Sequence, residues 1–381
     1  MTIDLHAVLD QLGPRLAEES AKLDANDSFP IDAYDALREH KVFSALVPET
    51  LGGGGAGHRE MCEFLRELAH CCPSTALALS MHQHLVAAAV ANDMAGRPGR
   101  ALLEKVAGSE AILVSTGAND WLESNGTAEK VEGGYRITAV KPFASGSPKG
   151  QVMVTSVAFD DPEAGPSVLH FPVPLMSEGV EFMDDWETLG MRATGSQTIR
   201  LDKVFVPDAA IVLERPRGDF HPAFAVIVTV AMPLIMSAYL GVAEQAARIS
   251  LDRARPRGGD PVIAMLAGEM ETLLATARIA RDDMIRLANE FEFTPTPELA
   301  SDVLTRKTIC ARHVIATAEK ALELAGGSGF FRKAGLERLL RDAHAAQFHP
   351  LPEKRQAMFT GRMALGLTPV ETKDGSLRIA A

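Results

Sequence analysis

Aromatic side chains are scarce in this chain: they make up 6% of 381 residues, with two tryptophans and three tyrosines. Ala, Leu, Val, Ile and Met must therefore fill the core, and a 46% apolar content supplies them in globular amounts. Cysteine is scarcer still. Cys62, Cys71, Cys72 and Cys310 are too few for a disulfide scaffold, and adjacent Cys71 and Cys72 are poor partners for each other. That usage fits a reducing cytoplasm. Positive charge is in deficit, with 38 Lys and Arg against 50 Asp and Glu and a net charge of -12. No basic run offsets it, and a nucleic-acid partner, which needs a basic footprint, is not expected. No uninterrupted membrane-spanning run is evident either. The most apolar segment, residues 224–243, contains Pro233 and many small residues, and reads as a buried core helix. The first residues, MTIDLHAVLDQLG, lack the basic head and apolar block of a secretory signal.

Several sites are missing as well. The glycines at 52–55 are not followed by the Lys-Ser/Thr ending of a phosphate loop, and no Gly-x-Ser-x-Gly elbow occurs. His82 and His84 have no acidic or cysteine partners at metal-ligand spacing, so no metal is expected.

What is present falls into three blocks, expected at residues 1–110, 111–212 and 213–381. In the first, Ile31, Tyr34 and Leu37, then Met61, Leu65 and Leu68, recur at helical spacing. Ser74 is expected to cap a helix carrying Leu77, Met81 and Leu85. In the second, AILVST at 111–116 suits a strand, and alternation on both sides of Gly133-Gly134 predicts a hairpin. In the third, helices are expected over 224–253, from Pro261 past Leu274, and from Pro297 to Ala325, where Gly326-Gly327 stops the run. Helices, then strands, then helices make an α+β chain.

Four segments in this order resemble the acyl-CoA dehydrogenase superfamily. They are VPETLGGGGAG (47–57), EGGYRITAVKPFASGS (132–147), LGMRATGSQTIRLDKVFVP (189–207) and GGSGFFRKAGLERLLRDAHAAQ (326–347). The resemblance implies an N-terminal helical domain, a middle β-barrel-like domain and a C-terminal four-helix bundle. It further implies a flavin between the β domain and the bundle, in a homotetramer. Matched positions put Ser115, Thr116, Phe143 and Ser145 beside the ring, with Ser145 near its N5 edge. Gly326 and Gly327 match glycines that approach a neighbouring subunit's flavin, and Arg253 matches the clamp on the FAD diphosphate. Here that clamp segment reads RARPRGG, without the family's Phe-Gly, and Glu323 stands where Gln is common. A carboxylate there disfavours a nearby phosphate.

Acyl-CoA dehydrogenation needs a carboxylate base opposite the flavin. The family's two positions for that base hold Pro350 and Ala231 here, and the Asp-x-x-Arg that grips CoA is matched by Thr229 and Met232. His349 and Glu353 are the nearest substitutes for a catalytic group. RDAHAAQFH (341–349) and CPSTALALSMH (72–82) are similar to segments of a reduced-flavin monooxygenase branch, which uses no CoA and binds FMNH2 or FADH2 loosely. Three readings result. The first is an FAD-dependent dehydrogenase of a hydrophobic acyl thioester, passing electrons to an electron-transfer flavoprotein. The second is a monooxygenase supplied by a flavin reductase. The third is a non-catalytic binding subunit.

Overall fold

The computed structural model describes residues 3–116, 120 and 122–371. Five helices come first: α1 (Leu5–Ala25), α2 (Ile31–Glu39), α3 (His58–Cys71), α4 (Pro73–Met94) and α5 (Arg100–Ser109). Helix α4 begins with Pro73 at its first turn and Cys72 as cap, with no side-chain cap bond. Proline's fixed φ and missing N–H suit that position, so Ser74 lies inside the turn rather than before it. The glycine-rich segment at 52–55 is a tight turn. A Cβ on Gly53 would stand 2.3 Å from the Val47 carbonyl oxygen.

The middle block holds β1 (Leu113–Ser115), β2 (Thr127–Val131), β3 (Gly134–Ala144), β4 (Val152–Asp161), β5 (Gly165–Pro174), β6 (Val180–Phe182), β7 (Gln197–Pro207) and β8 (Leu213–Pro216). The expected hairpin is β2–β3, with Val131 opposite Gly134. Two four-stranded sheets result, ordered β1-β4-β5-β8 and β2-β3-β7-β6, and among the described residues no ladder joins them. The block is therefore a pair of sheets around a shared core (Ile137, Phe171, Ile199, Leu201) rather than a closed barrel. Strand β8 extends the first sheet past residue 212, the boundary expected from sequence.

Helices α6 (Pro222–Ala254), α7 (Pro261–Ala288), α8 (Pro297–Ala325) and α9 (Leu336–His344) form the C-terminal bundle, and α10 (Glu353–Ala364) lies along α8. Asp260 caps α7 by accepting from Val262 N–H at 2.8 Å, and Thr296 caps α8 by accepting from Leu299 N–H at 3.2 Å. Gly326, at φ +64°, ends α8.

Helix α6 runs through Pro233 without a break. By length and composition it is apolar enough to cross a membrane, yet 89% of its apolar window is buried inside the protein. Its faces are divided. Val226, Val230, Leu234 and Ala238 pack into the N-terminal core, while Val228, Met232, Ile235 and Tyr239 pack into the bundle core. The four-residue steps on one side and the three- and four-residue steps on the other are what a doubly buried helix requires.

Candidate functional site between the sheets and the bundle

The site is bounded on one side by hydroxyl-bearing strands. Leu113 N–H donates to Nδ1 of His82 at 2.9 Å, and Nε2 of that ring lies 2.8 Å from the Phe43 carbonyl. One ring nitrogen accepts and the other donates, so His82 is neutral; burial pushes its pKa down to about 4. This histidine braces α4 against β1. Two residues on, Ser115 is buried and its Oγ has no hydrogen-bond partner among the described residues. Thr116 Oγ1 donates to Thr155 Oγ1 at 2.7 Å, tying the end of β1 to β4.

Ser145, just past β3, begins a chain of hydroxyls. Its Oγ lies 2.7 Å from Ser196 Oγ, which lies 2.7 Å from Thr194 Oγ1. Thr194 Oγ1 donates to the Met191 carbonyl at 2.9 Å. A carbonyl only accepts, so the single Thr194 proton goes there. Ser196 must then donate to Thr194, and Ser145 to Ser196. The Ser145 hydroxyl is thus spent as a donor and offers only lone pairs. Its backbone N–H is also committed, to the Phe143 carbonyl at 3.0 Å. Phe143 itself has φ +62° and a half-exposed ring, edge-on to Trp186 at 6.1 Å.

Met191 links the sheets to the bundle. Its N–H donates to buried Asp342 Oδ1 at 2.5 Å, and Arg341 reaches the Leu189 carbonyl at 2.9 Å and Asp24 at 2.6 Å. Burial raises the Asp342 carboxyl to about 6. The Arg-Asp-Ala segment is therefore an interdomain fastener.

On the bundle side, His349 Nε2 lies 2.7 Å from the Tyr239 hydroxyl of α6. Lys307 of α8, itself buried, donates from Nζ to the carbonyls of His349 at 2.7 Å and Leu351 at 3.2 Å. Burial lowers Lys307 to about 8. Burial, the Lys307 ammonium and nearby His84 together push His349 down to about 3, a neutral imidazole at every physiological pH. His84, on α4, is buried, and burial holds it at about 4 against a smaller opposing effect of the Ser80 backbone.

The other residues singled out from sequence stand elsewhere. Glu353 opens α10 and pairs with Arg312 at 2.7 Å and Lys354 at 2.8 Å. Its hydrogen bond from Arg312 holds the carboxyl down at about 2, so an ion pair occupies it. Gly326 and Gly327 lie at the far end of α8. Nineteen residues separate Gly326 from Lys307, roughly 28 Å of helix. These glycines do not share one ring site with His349 inside one chain. Arg257 caps the helix beside them, donating to the Leu324 carbonyl at 3.0 Å, and Arg253 lies one turn earlier, at the end of α6. Glu323 pairs with Lys320 at 2.7 Å. Thr229, Ala231 and Met232 are buried in α6.

Tyr239 and Lys307 were not singled out from sequence. A signal for the lysine exists: it occupies the buried stripe of α8 with Val303, Leu304, Cys310, Ala311 and Val314. A charge on an apolar stripe asks for a buried partner.

Comparison with known proteins fits this architecture. The acyl-CoA dehydrogenase N-terminal domain matches residues 7–106, and the acyl-CoA dehydrogenase C-terminal domain matches residues 234–353. An amino sugar nitrososynthase of Streptomyces peucetius is 26% identical, covering 94% of this chain and 92% of its own. A mitochondrial isovaleryl-CoA dehydrogenase of Oryza sativa subsp. japonica is 24% identical, covering 91% and 87%. A solved structure in complex with FMN and a dTDP-linked amino keto sugar superposes with a TM-score of 0.84 at 24% identity, covering 95% and 94%.

Proposed function

Because the chain belongs to the acyl-CoA dehydrogenase superfamily, a family of flavoproteins, we propose that it is the oxygenase half of a two-component flavin monooxygenase. Its substrate is apolar and free of CoA, and a flavin reductase in the cytoplasm supplies FMNH2 or FADH2. One observation carries this reading: among the described residues no free carboxylate stands at the positions where the family carries its base or beside His349. Ala231 is buried, Asp342 is committed to the Met191 N–H, and Glu353 to Arg312. A dehydrogenase lacking that base has no means of removing the α-proton.

Three features support it further. Thr229 and Met232, at the CoA-gripping positions, are buried within α6 and carry no charge for the thioester's nucleotide. The Ser145 hydroxyl can only accept, and an acceptor at the N5 edge suits a ring that already carries hydrogen there. Nitroso synthesis, the reaction that names one relative, places oxygen on nitrogen and lies outside dehydrogenation.

The residues present fit a flavin. Ser115, with its unpartnered buried hydroxyl, Thr116, Phe143 and Ser145 would hold the ring. Bound there, the reduced cofactor supplies the electrons that activate oxygen. His349 then borders the substrate side as a neutral hydrogen-bonding group. Gly326, Gly327 and Arg253 would serve the cofactor of a second copy in a homotetramer, consistent with their distance from His349.

The dehydrogenase reading retains one specific support, the whole-chain likeness to the isovaleryl-CoA enzyme. Purified protein distinguishes the two. The monooxygenase is colourless or weakly coloured, binds FMNH2, and changes the rate at which oxygen oxidises it from that of free FMNH2. A yellow protein bleached anaerobically by acyl-CoA overturns the proposal in favour of a dehydrogenase coupled to electron-transfer flavoprotein. Absence of flavin binding in either redox state leaves a binding subunit.

A further inference from the structure

We propose that Tyr239 and Lys307 are positioning residues that hold His349 as a neutral imidazole protonated on Nδ1, the donor it presents to a hydrogen-bond acceptor entering the site. This inference rests on the proposed function for the identity of the site, but the state of the ring follows from its own neighbours.

Tyr239 is fully buried, and burial raises its phenol well above the usual value of 10, so the phenol keeps its proton. Among the described residues its hydrogen-bond partner is His349 Nε2, at 2.7 Å. A buried hydroxyl proton without an acceptor carries a desolvation cost, and Nε2 is the acceptor within reach. Nε2 must then be unprotonated, which leaves the neutral ring's proton on Nδ1. The reverse arrangement, Nε2–H donating to the phenol oxygen, strands the phenol proton in an apolar core. No hydrogen bond of Nδ1 to the described residues is formed and His349 is only half-buried, so that donor remains available.

Lys307 acts on the same ring in two ways. Its ammonium donates to the carbonyls on both sides of Pro350, fixing the segment from which His349 projects. Its charge also opposes a second proton on the imidazole. The groups facing the ring are Tyr239 from α6, Lys307 from α8 and His84 from α4, all cationic or neutral. The two neighbouring carboxylates stand one step back, Asp342 acting on Tyr239 and Glu353 on Lys307. Nothing in this ring of neighbours favours imidazolium. Tyr239 sets the tautomer, and Lys307 sets the charge and the projection.

The test reads the imidazole directly, without flavin or turnover. Full-length protein labelled with ring-15N histidine is followed by long-range 1H–15N correlation from pH 8 to 5, with His349→Gln identifying the resonance. The expected wild-type pattern is a neutral ring with hydrogen on Nδ1 across the whole range. Tyr239→Phe, which removes one oxygen, should shift population to the Nε2–H tautomer. Lys307→Met, which frees the carbonyls of His349 and Leu351, should broaden or split the His349 ring signals across this range, and Lys307→Arg should restore most of the single set. An Nε2–H ring in the wild type, protonation by pH 6, or an unchanged tautomer in Tyr239→Phe overturns the proposal. If Lys307→Met does not fold, the wild-type and Tyr239→Phe spectra still decide. A protein with the expected tautomer that leaves the oxidation of FMNH2 by oxygen at the rate of free FMNH2 refutes the monooxygenase and leaves this inference standing.

Discussion

Lowering the pH from 6.5 to about 4.5 should unfold this protein through its buried histidines. His82 and His84 are held neutral in the fold at about 4, by burial foremost, whereas an unfolded chain takes up those protons near 6.5. The folded pKa lies below the unfolded one. Stability from these groups is therefore complete above pH 6.5 and is lost as pH falls toward 4. Each unmatched proton contributes about 1.4 kcal/mol per pH unit. Two histidines over two units amount to roughly 5 kcal/mol, the lower end of a whole protein's stability. His170 and His349, both near 3, steepen the slope. Asp342 opposes it by one proton, since its carboxyl is raised to about 6 and takes up hydrogen first in the folded state. The other carboxylates titrate in the unfolded chain mostly below this window. Urea unfolding followed by far-UV circular dichroism at several pH values between 5 and 6.5, at constant subunit concentration, measures the slope. His84→Phe should reduce it by about one proton, because it removes one of the groups that burial holds neutral in the fold. A wild-type slope below one proton would refute the assignment of neutral buried imidazoles.

Three further outcomes follow from the same structure. Gly190→Ala places a Cβ 2.3 Å from the Arg341 carbonyl oxygen, with rigid backbone as the obstacle; it should lower the thermal midpoint markedly, while Gly268→Ala, which meets nothing within 4 Å, should not. Asp120→Asn leaves the Lys141 ammonium, fully buried at 2.7 Å from its partner, without a counter-charge; a loss of about 3–5 kcal/mol in denaturant unfolding is expected. Glu353→Gln breaks only partly exposed pairs with Arg312 and Lys354; the effect of the protein on the rate of FMNH2 oxidation should stay within about twofold of wild type, as surface pairs contribute little.

Much of the architecture is legible in the chain because its punctuation is local. Pro261 and Pro297 mark the starts of α7 and α8, Gly326 marks a stop, and Gly133-Gly134 marks a hairpin, each through a fixed or permissive φ. Ser74 misled for the same local reason: it is a good capping residue, but Pro73 already supplies the first turn. The open pair of sheets was not legible, since closure depends on pairing among strands far apart in sequence. The site was only half readable. Ser115 and Ser145 lie in recognisable segments, and His349 stands out as a titratable residue beside Pro350. Glu353 looked equally suitable by residue type, and only its contact with Arg312, forty-one positions away, removes it. Tyr239 and Lys307 sit on helices whose periodicity marks them as core, and their polar tips matter only once α6, α8 and the 349–351 segment are brought together.

Helix α6 has a bearing on how the molecule holds as a unit. A fragment ending near residue 213 would lack Val226, Val230, Leu234 and Ala238, which complete the N-terminal core. A fragment starting there would keep those four side chains with nothing to cover them. Sequence divides the chain into three blocks, but the two helical ones share a single wall and should melt in one step. Changes of girth along that wall will be felt on both sides at once, and one of those sides carries Tyr239.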